Sequence, residues 1–215
     1  MKGTVWHSHI GFMGWLLRPI AWIVIHTVQR PKFHGPVPKL DKPAIFACRH
    51  VGMMDPVVLM SAYPWDVIHP LAAMDHVEKN WFTRWFFKSA QCISIDRHNG
   101  SMEWLDQSLE VMKRGESIII FPEGKRNRTG DGLMMFHSGV ALLAAKSGAP
   151  VIPVWNEQWQ FPHRYRLAVG EAFYIDPVPE TGITTEWLHS QADKVHDAVA
   201  GLKARIPERN KQGYK

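Results

Sequence analysis

The chain has 215 residues, of which 46% are hydrophobic and 21% charged. These proportions exclude wholesale disorder and allow one domain with a proper core. Lys and Arg outnumber Asp and Glu by 25 − 20 = 5, an excess that suits phosphates, an acidic carrier or anionic lipid without choosing among them. The two cysteines, Cys48 and Cys92, sit in apolar strand-like runs, which excludes a disulfide framework and fits a reducing compartment.

The first element is the apolar segment 10–28, IGFMGWLLRPIAWIVIHTV, with 13 apolar residues among 19. Its length approaches a membrane span, but Arg18, Pro19 and His26 interrupt it. A mid-span Arg costs about 2.5–3.5 kcal/mol on insertion scales. No small-residue cleavage site follows, against a secretory signal. Two readings stand: a helix packed on the core, or a helix lying in one bilayer face with Arg30 and Lys32 as interfacial anchors. Residues 1–35 are accordingly read as an apolar anchor segment, 36–207 as the main domain and 208–215 as a basic, frayed tail.

Beyond Pro43, short apolar runs alternate with helical patterns. AIFACR (44–49) reads as a strand. DPVVLMSAY (55–63) reads as a helix with Asp55 as N-cap and Pro56 in the first turn. VIHPLAA (67–73) reads as a strand, 75–89 as one helix and QCISIDR (91–97) as a strand. The spacing predicts a helix over 101–114 stopped by Gly115. SIIIFPEG (117–124) opens as a buried strand, 137–147 is helical, and 151–156 and 164–173 are strands. Pro153 suggests an edge or a bulge. Leu188, Ala192, Val195, Val199, Leu202 and Ile206 follow the 3.6 period of a last helix that Pro207 stops. Alternating strands and helices predict an α/β single layered domain with a mixed, largely parallel sheet flanked by helices.

Four runs carry candidate chemistry. In Arg49-His50-Val51-Gly52-Met53-Met54-Asp55, a strand-end His is followed by a carboxylate that a four-residue loop can fold back to the imidazole. Strand ends are where sites form in α/β sheets. A carboxylate on one ring nitrogen fixes the tautomer and strengthens the other as a base for a hydroxyl. The bland alternative is an N-cap Asp55 beside a surface His50. In Phe121-Pro122-Glu123-Gly124-Lys125-Arg126-Asn127-Arg128, Pro122 ends the ladder, Gly124 permits a sharp turn and cations crowd the loop, where Arg126 can grip a phosphate. The others are Ile93-Ser94-Ile95-Asp96-Arg97, a strand ending in charges, and Val151-Ile152-Pro153-Val154.

In this order and spacing, RHVGMMD, ISIDR, FPEGKRN and VIPV resemble the motifs of the glycerolipid acyltransferase family, that of 1-acyl-glycerol-3-phosphate acyltransferases, over about residues 43–156. The resemblance implies transfer of a fatty acyl group from a thioester to a lysophospholipid hydroxyl. His50 would be the general base and Asp55 its orienting partner. Glu123, Gly124, Lys125 and Arg126 would line the acceptor site, and Arg97 would help hold its phosphate. It implies no metal, no cofactor beyond acyl-CoA or acyl carrier protein as donor substrate, membrane lipid and lysolipid as partners, and a location on the cytoplasmic face of a membrane. The chain departs from the family pattern at Arg49 for Asn, Gly52 for Ser and Lys125 for Thr. It also carries Phe136-His137-Ser138-Gly139 where members carry Phe-Lys-x-Gly. Lys125 or Arg128 would then replace the missing Lys, or the headgroup differs.

Ten Trp are present. Trp81, Phe82, Trp85, Phe86 and Phe87 mix with Lys79, Arg84 and Lys88, and Trp6, Trp15 and Trp22 lie in the N-terminal segment. This composition fits a membrane interface as well as plain core packing. A lyso-ornithine lipid or other lysolipid is an alternative acceptor. A non-catalytic lipid- or anion-binding protein is the alternative from another class, although both His50 and Asp55 are present. No nucleic-acid module or zinc-ligand spacing stands out.

Overall fold

The computed structural model describes residues 19–20, 22–77, 79–96, 100–127, 132–158 and 165–207. Expectations for Trp6, Trp15, Arg18, Arg97, Arg128 and the tail 208–215 fall outside them.

The apolar runs build a seven-stranded sheet because their alternate side chains find cover on both faces. The strands are β1 (Lys32–Phe33), β2 (Ile45–Cys48), β3 (Ile68–Ala73), β4 (Ile93–Ile95), β5 (Ser117–Ile120), β6 (Val151–Gln158) and β7 (Tyr165–Val169), in the order β1-β7-β6-β2-β5-β3-β4. All pairings are parallel except β6 with β7. The chain is thus α/β with a mixed, largely parallel sheet. Ile45, Ala47, Ile118 and Ile120 face one cluster, with α4 (Glu103–Lys113), α5 (Gly139–Ser147) and α6 (Thr185–Gly201) over it. Phe46, Cys48 and Ile119 face the other, where α1 (Asp55–Met60) contributes Val58 and Leu59. This period-two split of continuous apolar runs is that of a sheet covered on both sides.

Several expectations need correction. The helix read over 75–89 is two, α2 (Met74–Val77) and α3 (Trp81–Ser89). Asn80 restarts the chain: its Oδ1 accepts from the Thr83 N–H at 2.8 Å, and the Thr83 hydroxyl accepts from the Asn80 N–H at 3.0 Å, a reciprocal cap. Helix α4 ends in a Schellman turn, with Arg114 as the cap and Gly115 beyond it at φ +90°. There Gly115 N–H donates to Met112 and Glu116 N–H to Val111. The strand read over 164–173 stops at Val169 and returns as one bridge, Phe173 to Val151.

Pro153 lies in β6, between β2 and β7, not on an edge. The β6–β7 ladder is broken beside it: between the Val154–Val169 pair and the Val151–Phe173 bridge, three residues oppose two. The bulge reading holds because no N–H is asked of Pro153 there. Its carbonyl accepts from Gly170 N–H at 2.9 Å, and a Cβ at Gly170 would stand 2.6 Å from the proline ring.

At the N-terminal side, Trp22–Val24 is helical and Ile25–Gln29 is a π-helical turn closed by Arg30 in the left-handed region, φ 42°. Ile25 is buried and the Trp22 indole N–H donates to the Ser61 carbonyl at 3.2 Å, while Ile20, Ile23, Val24 and Val28 are exposed. No helix among the described residues is long and apolar enough to cross a membrane. Of the segment 10–28, the described part docks one side on the domain and leaves apolar side chains exposed on the other.

Candidate active site

Strands β2 and β5 are neighbours, with Ala47 opposite Ile120. The residues that leave their carboxyl ends, Arg49-His50 and Phe121-Pro122-Glu123, therefore emerge together. The site is built from these two exits.

The loop after His50 folds back. Asp55 Oδ2 accepts from His50 Nδ1 at 2.9 Å, Val51 N–H at 2.7 Å and Gly52 N–H at 2.9 Å. Asp55 was expected to cap α1. The helix instead starts at Asp55 with Met54 before it and no side-chain cap, because the carboxylate is spent on the preceding loop. The Asp55 side chain is fully buried and that of His50 is 20% exposed. With Nδ1–H given to the carboxylate, the His50 lone pair is on Nε2, which has no partner among the described residues. Its ring lies on Phe121, centroids 4.1 Å apart.

The FPEGKRN loop holds His50 by the backbone. His50 N–H donates to Glu123 Oε1 at 2.7 Å, and Asn127 N–H donates to the His50 carbonyl at 2.7 Å. Glu123 is 3% exposed, and its Oε2 accepts from Met134 N–H at 3.0 Å and the Asn127 amide at 3.4 Å. Both oxygens therefore face protein rather than the open side. Gly124 takes φ +70°, and a Cβ there would stand 2.8 Å from the His137 ring, so the turn requires Gly. His137, whose N–H donates to the Pro122 carbonyl at 2.8 Å, thus borders the FPEG turn. Lys125 and His137 are exposed and Arg126 is half-buried. No carboxylate among the described residues pairs with either cation. The structure brings together His50, Asp55, Glu123, Gly124, Lys125 and Arg126, whereas Arg97 falls outside the described residues.

Arg49 is the residue the sequence reading missed. It is buried, its Nε donates to the Gly132 carbonyl and its guanidinium to the Asn156 carbonyl, both at 2.9 Å, and it lies 4.5 Å from the Trp155 ring centre. In return the Asn156 amide donates to the Arg49 carbonyl at 3.0 Å. Its place beside His50 was visible in the sequence, but its partners are 83 and 107 residues away.

Cys48, two residues before His50, is fully buried. Burial first, and then the Asp55 charge, push its thiol well above the ordinary range, so it is no nucleophile. Among the described residues no three His, Cys, Asp or Glu side chains are placed to hold a metal ion.

Residues 25–157, more than half of the chain, match the family described as Acyltransferase. The chain belongs to that family. Over 187 residues it is 26% identical to a putative 1-acyl-sn-glycerol-3-phosphate acyltransferase of Caenorhabditis elegans, covering 83% of this chain and 64% of that protein. Over 215 it is 26% identical to a lyso-ornithine lipid O-acyltransferase of Pseudomonas aeruginosa, covering 88% and 78%. It spans 55% of a Bacillus subtilis 1-acyl-sn-glycerol-3-phosphate acyltransferase, so against that protein and the nematode one it covers less than two thirds of their length. The crystal structure of a 1-acyl-sn-glycerophosphate acyltransferase from Thermotoga maritima superposes with a TM-score of 0.58 at 21% identity, over 90% of this chain and 84% of the other. The two share a fold.

Proposed function

We propose that this acyltransferase moves a fatty acyl group from acyl-CoA or acyl carrier protein to the hydroxyl of a lysophospholipid, with 1-acyl-glycerol-3-phosphate as acceptor. The observation that carries the reading is the 2.9 Å contact from His50 Nδ1 to a fully buried Asp55. It leaves Nε2 as the acceptor of a proton at the carboxyl end of two parallel strands. In the reaction His50 Nε2 takes the acceptor's hydroxyl proton while that oxygen attacks the thioester carbonyl carbon. The tetrahedral adduct then collapses, the C–S bond breaks, and the imidazolium returns the proton to the leaving thiolate. No acyl-enzyme forms and no metal or bound cofactor takes part. Arg126 and Lys125, at the mouth, and Arg97 are assigned to the acceptor's phosphate.

A second acceptor is kept on two grounds. The relative named for lyso-ornithine lipid is covered over 78% of its length, and His137 stands where the family pattern has Lys.

The enzyme works at the cytoplasmic face of a membrane, held there by the 1–35 segment ahead of the 36–207 catalytic domain. Support comes from the exposed Ile20, Ile23, Val24 and Val28 beside Arg30 and Lys32. The deciding experiment gives purified protein both thioester donors with 1-acyl-glycerol-3-phosphate and with lyso-ornithine lipid, and reads the acylated product by mass spectrometry. Product from the first acceptor, lost in H50A, supports the reading. Product from the second alone moves the assignment, and product from neither sinks it. Deleting residues 1–28 should release protein from vesicles and cost more activity on long-chain than on short-chain acceptors. Equal sedimentation and equal activity on both would place the anchor elsewhere.

A further inference from the structure

Asp55 is held unevenly. Three donors converge on Oδ2, while Oδ1 is buried and makes no hydrogen bond among the described residues. A buried carboxylate oxygen without a donor is costly, and native proteins rarely leave one so. Behind α1, the first residue of β7, Tyr165, is 1% exposed and packs in the same cluster as Cys48, Val58 and Leu59. Its hydroxyl is also buried and also without a hydrogen bond among the described residues. The two orphans are complementary, one oxygen lacking a donor and one hydroxyl with a proton to give. Tyr165 shares its cluster with Val58 and Leu59 of α1, the helix that Asp55 opens. Burial first, then the Asp55 charge, raise the Tyr165 phenol above its ordinary range, and the Met54 peptide N–H bears on it in the opposite sense. Asp55 Oδ1, Tyr165 Oη and Met54 N–H are then three polar groups for one ligand. That number suits one buried water.

We propose that Tyr165 is a positioning residue for the catalytic pair, its hydroxyl holding Asp55 Oδ1 through one bound water. The inference rests on the His50–Asp55 reading above. With both oxygens engaged, the carboxylate cannot turn about its Cβ–Cγ bond, and the Oδ2 that orients His50 stays in place. The titratable groups facing Asp55 are His50 from its own loop, Cys48 from β2 and Tyr165 from β7.

The test is Tyr165→Phe, which removes one oxygen and keeps the ring in its apolar site. Two readouts are needed. In the resting protein, without substrate, the NMR resonance of the His50 Nδ1 proton should move. In turnover, kcat should fall about threefold to tenfold with both KM values unchanged, and the acid limb of the rate profile should move to higher pH, since a carboxylate with one donor fewer holds the imidazolium proton harder. An unchanged resonance with a wild-type rate profile overturns the proposal. So does a lower melting temperature with the acid limb unmoved, which is the sign of a packing role only. If the Phe variant does not fold, 3-fluorotyrosine at 165 keeps the ring and strengthens the donor: a shifted His50 resonance supports the proposal and an unshifted one overturns it. If H50A keeps its activity, the catalytic reading fails, and the resonance still reports whether Tyr165 holds Asp55.

Discussion

The two loops that form the site are built to opposite specifications. The His50–Asp55 loop is held at many points: Asp55 Oδ2 takes three donors, and the FPEGKRN loop clamps the His50 N–H and carbonyl. The outer edge of FPEGKRN, with Lys125, Arg126 and nearby His137, presents cations and an imidazole toward solvent. The difference teaches that the proposed base, His50, is held by the protein's own hydrogen bonds, as a proton transfer over hydrogen-bond distance demands. Lys125 and Arg126, proposed to meet the headgroup, are exposed and half-buried.

The sharpest way to break the comparison is His50→Ala, which should cost about 10²–10⁴-fold in kcat with little change in melting temperature, since His50 is partly exposed. Turnover near wild type would end the mechanism. Asp55→Asn should lose roughly 10²–10³-fold and also stability. The stability loss comes from the loop donors on Oδ2 and not from a lost helix cap; a variant with full stability would contradict the hydrogen bonds described.

Arg49→Met separates folding from chemistry. It leaves the Asn156 carbonyl without the guanidinium and the Gly132 carbonyl with only the Asn127 amide at 3.3 Å, and unfolding in urea should show a loss of about 2–4 kcal/mol. Unchanged stability would show that Arg49 does not brace the site.

On the outer loop, Arg126→Ala should raise the acceptor KM about tenfold and leave the donor KM alone. Lys125→Thr with His137→Lys should shift the preference between phosphate and ornithine acceptors, and no shift would remove those residues from headgroup selection.

The smallest effect lies far from the site. Lys194 and Gln191 bond the exposed Asp176 carboxyl and hold it below its ordinary range. The stability this contributes is present above the unfolded pKa and lost as pH falls through the folded one, so Lys194→Met should shed a small acid dependence below about pH 4. Identical acid unfolding curves would show that the pair contributes nothing.

Much of this was legible in the residues. SIIIFPEG had to be a buried strand with a sharp exit, because three consecutive Ile need cover on both faces and Pro122 cannot continue a ladder. The last helix was readable from its period, and Ala192, Val195, Val199, Leu202 and Ile206 are all buried. The break between α2 and α3 was also written, in Asn80 and Thr83, but the aromatic run that follows Asn80 hid a cap that only two polar residues mark.

The sequence by itself determined the α/β class, the strand exits and the nearness of His50 and Asp55, because each depends on contacts within a few residues. Only the tertiary structure decided what Glu123, Arg49 and Pro153 do. Glu123 reads as a loop carboxylate until β2 and β5 pair and His50 N–H meets it. Arg49 reads as a surface cation until Gly132 and Asn156 close on it. Pro153 reads as an edge or a bulge until Gly170 makes room for it inside the sheet. Each depends on a partner 17 to 107 residues away, and such pairings are set by how the strands order themselves, which no local pattern encodes.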